Sequence, residues 1–195
     1  MSATAAPYGA RAIGTMSASG SFTGKTRAYK IASGTATAIY YGDFVKMETT
    51  GYAAKDTGTS TLTPIGIFVG CSYTDPNSGQ PTHNNMWPAS IVASDAIAYV
   101  VDDPFVLFQM QSDEALAITD WLSNVAVVQT AGSTSIGQSK NAVDGSSPHT
   151  TNTLPLKLID FVEGPDSAIG DAYTDVICSF NVGHQLINTT GVSPT

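Results

Sequence analysis

Apolar residues in this chain occur in short runs of β-branched and aromatic side chains, separated by stretches rich in Gly, Ser, Thr, Asn and Pro. Two such runs, residues 38–47 and 65–73, flank a polar turn region that contains a shorter apolar piece at residues 52–54. Short runs of this composition, bounded by turn residues, are typical of β-strands. The pattern therefore predicts a hairpin or the corner of a β-barrel.

Glycines interrupt both of these runs. Gly42 and Asp43 form a turn signal inside the first run, which predicts a strand that is bent there or broken into two. In the second run, Gly66 and Gly70 predict a bulge or a close approach of two backbones, because glycine has no side chain in the way.

The β pattern continues towards the C-terminus. Residues 91–111 hold two runs, IAYVV and FVLFQMQ, which are separated by a compact turn at residues 102–104. Residues 112–116 begin like a capped helix, but the β-branched run at residues 125–128 limits that helix to one short turn. Further strands are predicted at residues 154–162 and 175–182, and long loops at residues 74–90 and 130–153.

We expect a mainly β fold, with a β-barrel or β-sandwich body, long loops and an extended N-terminal arm. The body spans residues 35–187. Residues 1–34 form the arm, because this low-complexity segment carries only scattered apolar anchors and needs contact with another surface to become fixed. Residues 188–195 are polar and are expected to form a flexible C-terminal tail.

Composition adds a functional hint to this fold. Of the 195 residues, 42% are hydrophobic, which is enough for a real core, but only 12% are charged, about half the usual share of a soluble domain. A surface of small neutral side chains suits close packing against other proteins better than free diffusion. A secreted or simply low-charge β protein is the alternative.

The net charge of −8 is unevenly distributed. Residues 1–95 contain six basic and five acidic residues, whereas residues 96–195 contain two basic and eleven acidic ones. A positive N-terminal segment on a negative body can reach an acidic surface, including that of an identical neighbour. The acidic body argues against nucleic acid as a partner.

The residues that commonly carry chemistry form no motif. Cys71 and Cys178 each lie in or beside an apolar run, so we interpret them as buried free thiols, with a single disulfide as the alternative. His83, His149 and His184 lie far apart in the sequence and beside no nucleophile motif. These residues predict no catalytic site.

Two further segments resemble ligand sites in part. GSFTGKT at residues 20–26 has three residues between its glycines where a phosphate-binding loop needs four. Acidic residues at 160–175 could collect a hard cation such as calcium, although acidic turns between strands are common solvated features. These are Asp160, Glu163, Asp166, Asp171 and Asp175. We therefore predict no cofactor and no enzyme, and the sequence also lacks a recognisable signal peptide or membrane-spanning run.

Two sequence stretches resemble known virion proteins. YYGDFVKM at residues 40–47, a Gly/Thr-rich turn and PIGIFVGCSY at residues 64–73 look like the β core of tailed-bacteriophage proteins encoded near the major capsid protein. Residues 153–186 are similar to the closing strands of such proteins, which include head decoration, or cement, proteins. The resemblance covers roughly residues 35–187.

The resemblance implies a non-enzymatic structural protein located on the outer capsid surface of a virion. It implies binding at junctions between major capsid protein subunits, often as a homotrimer, to resist the pressure of the packaged DNA. It implies no catalytic residues.

On this reading the N-terminal arm is the bridging element. Its basic residues would be electrostatic anchors and its apolar residues hydrophobic anchors, with a tryptophan from the 74–90 loop as an additional contact. These predicted partner-binding residues are Tyr8, Arg11, Ile13, Phe22, Lys25, Arg27, Lys30 and Trp87. Three alternatives remain. They are a phage tail, neck or fibre-associated protein, a glycan-binding β module that uses Trp87 and Tyr73 as stacking platforms, and an enzyme, to which no sequence feature points.

Overall fold

The computed structural model describes residues 4–17 and 22–188. Of the predicted C-terminal tail, 188–195, all residues after 188 lie outside the described part of the chain. The fold consists of short strands joined by loops, with 3-10 turns at Ile118–Asp120 and Leu186–Asn188. The strands are β1 Arg11–Thr15, β2 Arg27–Lys30, β3 Ile39–Tyr40, β4 Phe44–Met47, β5 Ala53–Lys55, β6 Gly66–Thr74, β7 Pro81–Asn84, β8 Met86–Trp87, β9 Ile97–Val101, β10 Val106–Gln111, β11 Asn124–Val125, β12 Val127–Val128, β13 Ala142–Val143, β14 Leu156–Phe161 and β15 Asp175–Phe180.

Two antiparallel sheets form the framework. Sheet I has the order β1-β10-β15-β14-β11, and sheet II has the order β2-β9-β6-β4-β5 with β7 paired to β6. Phe44 of sheet II packs edge-on against Phe108 and Phe180 of sheet I, with ring centroids 5.7 Å and 5.9 Å away. The first hydrophobic core therefore lies between the sheets, as in a β-sandwich.

Sheet II is buried on both of its faces. Along β4, Phe44 enters the first core while its neighbour Val45 enters a second core on the opposite side of the sheet. The sheet curls around this second core, and Ile31 forms a single parallel bridge with Ala53 at the far edge. Small β3–β8 and β12–β13 ladders complete the described strands, which form no closed barrel.

The mainly β, sandwich-like fold confirms the predicted fold class. The first apolar run is broken in two at Gly42, between β3 and β4, and the second forms β6. The pairing of β6 with β9 shifts register between Phe68 and Gly70, which is the predicted bulge. At Gly66 a β-carbon would overlap the carbonyl oxygen of Val101, which is the predicted close approach of two backbones.

Four local predictions differ from the structure. The 130–153 stretch, predicted as a loop, contains β13, which pairs with β12. The 74–90 stretch, predicted as a loop, contains β7 and β8. Pro81 does not prevent β7, because it occupies the first position of an edge strand, where no backbone amide is needed. The short helical turn forms at residues 118–120 and not at 112–116. The described part of residues 1–34 is extended, as expected, but β1 and β2 are strands of the two sheets and need no other protein to fix them.

Asp43 is the centre of a buried polar cluster beside the break between β3 and β4. Its side chain is completely buried and pairs with the Lys55 ammonium at 3.0 Å. The carboxylate also accepts hydrogen bonds from the Tyr40 amide at 2.9 Å, Ser139 Oγ at 2.6 Å and Asn141 Nδ2 at 3.2 Å. A buried charge with this many partners is satisfied, and it holds three distant segments together.

We expect Asp43→Ala to lower the free energy of unfolding by about 3–5 kcal/mol, because it leaves the Lys55 ammonium buried without its partner. Urea denaturation measures this loss. The matched control is Lys46→Ala, which removes an exposed ion pair to Glu48 at 3.6 Å and should cost less than about 1 kcal/mol. Equal losses in the two variants would contradict the central role of Asp43.

Candidate interaction surface

The N-terminal edge, defined here as residues 8–16 and 25–30, lies along one side of the sandwich. β1 is the edge strand of sheet I and pairs with β10, whereas β2 is the edge strand of sheet II and pairs with β9. Because β9 and β10 are consecutive and are joined by a short turn, β1 and β2 lie side by side on neighbouring sheets. The N-terminal edge is thus a continuous border of the molecule.

Hydrogen bonds fix the β1 half of this border to the body. The Ala6 amide donates to Gln111 Oε1 at 2.7 Å, and the Ala10 amide donates to the Gly42 carbonyl at 2.9 Å. Gly42 has a φ of 87°, and a β-carbon there would lie 3.1 Å from the carbonyl oxygens of Tyr8 and Ala10. Glycine is required at this position by both the backbone conformation and the close contact.

Tyr8 connects the N-terminal edge to β15. Its hydroxyl donates to Asp175 Oδ1 at 3.1 Å, and the Arg11 guanidinium lies 5.0 Å from the centre of its ring. Burial, followed by the nearby Asp175 carboxylate, raises the pKa of Tyr8. Burial also raises the pKa of Asp175, although Tyr8, Gln109 and Arg11 oppose that shift.

The turn between β9 and β10 holds the β2 half. Asp102 accepts a hydrogen bond from the Tyr29 hydroxyl at 2.8 Å and pairs with Arg27 Nε at 2.9 Å. Burial and the hydrogen bond to Asp102 raise the pKa of Tyr29 to about 12. The next residue, Asp103, accepts a hydrogen bond from Thr15 Oγ1 at 3.0 Å, so one turn anchors both edge strands.

Most of the predicted partner-binding residues are accessible. Tyr8 is half-buried, and Phe22 packs partly against the first core. Both side chains therefore contribute to the packing of the body. Exposed side chains on the N-terminal edge are Arg11, Ile13, Lys25, Arg27 and Lys30. The exposed part of the predicted set is thus mainly basic and lies on one border.

The prediction that Trp87 contacts a partner is wrong. It is completely buried in the second core, where its ring lies edge-on to buried Tyr73 at 5.2 Å. Because neither ring presents a face to solvent, these two residues cannot be the stacking platforms of a glycan site. Packing of the tryptophan in the second core holds β8 against the body.

Two groups of exposed apolar side chains were not predicted from the sequence. One consists of Ile118, at the start of the 3-10 turn, and of Trp121 and Leu122, which directly follow that turn and precede β11. The other includes Phe105 and Val182, which line a small groove near the end of β15. Their only sequence signal is a large apolar residue in a polar connection, which does not indicate whether the side chain turns inward or outward.

The remaining chemistry-bearing residues are not assembled into a reactive site. Cys71 and Cys178 are free thiols in different cores, which confirms the first interpretation, and burial raises the pKa of each to about 12. Among the described residues, no three His, Cys, Asp or Glu side chains are grouped closely enough to hold a metal ion, so the 160–175 carboxylates do not converge.

A cleft of about 430 Å³ lies beside Lys55 and is lined in part by Tyr40 and Gln129. The lysine ammonium in this cleft is already paired with Asp43 at 3.0 Å. Gln129 Nε2 donates to the Asp56 and Gly58 carbonyls at 3.1 Å and 2.9 Å. The polar groups of the cleft thus connect segments of the fold.

No protein-family model, curated protein or solved structure matches this chain. Within the described part of the chain, no helix has the length and apolar character needed to cross a membrane.

The raised pKa of Asp175 predicts a pH dependence of stability. Asp175 binds a proton more tightly in the folded protein than in the unfolded chain. Its contribution to the free energy of unfolding is therefore fully present below the unfolded pKa and is lost as pH rises through the folded pKa. In the Asp175→Asn variant the side chain at this position cannot ionise, and its amide oxygen can still accept the hydrogen bond from the Tyr8 hydroxyl. We expect this variant to gain stability relative to the unmodified protein between acidic and neutral pH.

Urea denaturation across that pH range tests the expectation, with Asp95→Asn as a control of opposite sign. Hydrogen bonds from Thr74 lower the pKa of Asp95, so its contribution is present above the unfolded pKa and lost as pH falls. Asp95→Asn should therefore lose relative stability as pH rises. The same slope for both variants would contradict the assigned role of Asp175.

Proposed function

We propose that this chain is a non-enzymatic virion structural protein, a decoration or cement protein of a tailed-bacteriophage head. It binds the outer capsid surface between major capsid protein subunits and stabilises the assembled shell. The observation that carries the proposal is the N-terminal edge, a basic and partly apolar border on an otherwise acidic β-sandwich.

The arrangement of charge supports this proposal. Arg11 on β1 and Lys30 on β2 are exposed at the edges of two different sheets, so they present positive charge along the whole border. Opposite charges across an interface accelerate association and fix its orientation. A protein that binds only the assembled shell stabilises that state by mass action, without any catalytic residue.

Self-association belongs to the same proposal. Copies of the chain, forming a homotrimer, would place several N-terminal edges around one junction of capsid subunits and increase the strength of binding through multivalency. The low fraction of charged residues, 12%, suits a surface that spends its lifetime covered by neighbours.

A tail, neck or fibre-associated role in the same virion is the alternative. Such a protein would share the β fold, but it would be present in few copies. The number of copies per particle therefore separates the two.

We expect quantitative mass spectrometry of purified virions of the encoding phage to find close to one copy of the chain for each major capsid subunit. A few copies per particle would instead indicate a protein of the neck or tail. Complete absence from the virion would overturn the proposal.

Point substitutions test the N-terminal edge more cleanly than truncation does. Deletion of residues 1–30 removes β1 and β2 from the two sheets, so it should destabilise the body as well as the interface. Lys25 and Lys30 are exposed. The double variant Lys25→Glu, Lys30→Glu should stay folded.

We expect this double variant to bind purified heads at least about tenfold more weakly in co-sedimentation, because each reversal replaces an attraction by a repulsion. Raising the salt concentration should weaken the binding of the unmodified chain in the same direction. The control is Lys140→Glu, an exposed lysine outside the N-terminal edge. Equal binding by both charge variants would exclude this border as the contact.

A further inference from the structure

One row of side chains crosses the outer face of sheet I, from β1 at the N-terminal edge to β14. The strand register pairs Arg11 with Gln109 and Gln109 with Ile177. Ile177 in turn pairs with Asp160. Residues that pair directly across strands project from the same face of a sheet. The neighbouring row includes Phe108 of the first core, so this row, which we call the charged row, lies on the opposite face.

The charged row ends in opposite charges. Arg11 is exposed at one end and Asp160 at the other, and exposed Glu163 follows just after β14. Half-buried Lys157 is a basic residue on the same strand. Three interstrand spacings, roughly 14 Å, separate the ends of the row, so Arg11 and Asp160 are too far apart to pair within one copy. Each end therefore keeps a charge that another surface can neutralise.

An apolar group accompanies the acidic end of the row. We call Ile118, Trp121 and Leu122 the apolar turn, and they are 54%, 47% and 58% exposed. The Trp121 ring is fixed against β14, because its Nε1–H donates to the Ile159 carbonyl at 2.7 Å and the ring lies edge-on to Phe161, with centroids 6.0 Å apart. A rigid exposed aromatic with apolar neighbours is the usual composition of a binding hot spot.

The backbone of the apolar turn is strained at an exposed residue. Leu122 has a φ of 63°, a left-handed conformation that is unfavourable for a residue with a branched side chain and that glycine adopts without cost. The leucine belongs to neither hydrophobic core, so burial within one copy does not offset this strain. Strain that is retained at an exposed side chain favours a role for that side chain outside the monomer.

A matching apolar residue accompanies the basic end. Ile13 is the bulged residue of β1 directly after Ala12, and it is 42% exposed. The row that begins at Ala12 ends at Leu158 on β14. The Leu158 amide donates to the carbonyl of Ser123, the residue after Leu122, at 3.0 Å. Ile13 and Leu122 thus lie at opposite edges of the sheet, beside the same row and on the same side of the charged row.

We propose that copies of this chain associate edge to edge, with β1 of one copy against the apolar turn and the acidic end of the charged row of the next. Arg11 of one copy then faces Asp160 of its neighbour, while Ile13 packs against the apolar turn. The contact joins two different surfaces, so each copy uses both, and a rotation that closes produces a ring. A ring of three is the homotrimer of the proposed function, and the inference rests on that self-association.

The contact divides the N-terminal edge between two partners. Its β1 half faces the next copy, whereas its β2 half, with exposed Lys25 and Lys30, stays available to the shell. The two halves can therefore be tested separately.

Sedimentation velocity of the full chain over a range of concentrations tests the charged part of the contact. We expect concentration-dependent association of the unmodified chain. Arg11→Asp and Asp160→Arg should each weaken it at least about tenfold, because each places like charges opposite each other. The double variant Arg11→Asp, Asp160→Arg exchanges the two charges and should restore association. The control Lys25→Glu, Lys30→Glu should associate like the unmodified chain.

Leu122→Gly tests the apolar part. We expect it to weaken association at least about tenfold while its thermal stability is unchanged or higher. The thermal measurement separates the two roles, because a leucine that only supported the fold would lower stability when removed. The matched control is Ser90→Gly, at the other described non-glycine residue with positive φ, 62°, which should leave association unchanged.

Mixing two variants tests whether the contact joins two different surfaces. Leu122→Gly retains an intact β1 edge, and Arg11→Asp retains an intact apolar turn, so each variant alone should be largely monomeric. Their equimolar mixture should form one good contact per pair and stop at dimers. A mixture that stays monomeric would overturn the edge-to-edge arrangement.

Two other outcomes would also overturn the inference. One is an unmodified chain that is monomeric at every concentration. The other is a charge-exchanged double variant that associates as weakly as either single variant. Neither result bears on the copy number in purified virions, so failure of this contact remains distinguishable from failure of the proposed function.

Discussion

The buried carboxylate of Asp43 is the interaction on which the two-sheet architecture depends. Its ion pair to Lys55 fixes β4 against β5 within sheet II, while its bonds to Ser139 and Asn141 bring in a loop almost a hundred residues later. The same loop receives the N-terminal segment, since the Gly9 amide donates to the Asn141 carbonyl at 3.2 Å. The hydrogen bonds and the ion pair of one buried charge thereby link three segments of the chain: the turn before β4, strand β5 and the loop at residues 139–141.

Burial on both faces explains why the central strands of sheet II, β4, β6 and β9, could be predicted from sequence. Residues such as Phe44 and Val45, or Val100 and Val101, are neighbours that enter different cores, so the strands appear as continuous apolar runs. Such runs identify a strand with little ambiguity. The glycine signals at Gly42, Gly66 and Gly70 were equally informative, because each marks a position where a β-carbon would strain the chain or meet another backbone.

Other features could not be predicted, for a definite physical reason. The N-terminal segment has too little apolar periodicity to indicate a strand by itself, and β1 and β2 exist because β10 and β9 offer free edges to them. Trp87 illustrates the same problem for the candidate site. An aromatic residue in a proline-rich stretch carries no local signal that tells a core side chain from a surface one, and only the pairing of β8 with β3 decides its burial.

The long sequence separation between the edge strands and their partners has a consequence for synthesis. β1 pairs with residues 106–109 and β2 with residues 97–100, so β1 and β2 have no partners during synthesis until the chain has reached β9 and β10. Loop closure over such separations is slow compared with the formation of local hairpins. While β1 and β2 are unpaired, the basic residues of the N-terminal edge keep them from pairing with the same strands of neighbouring chains, because like charges repel each other. The border that we propose as a partner contact would thus also protect the chain while it is being made.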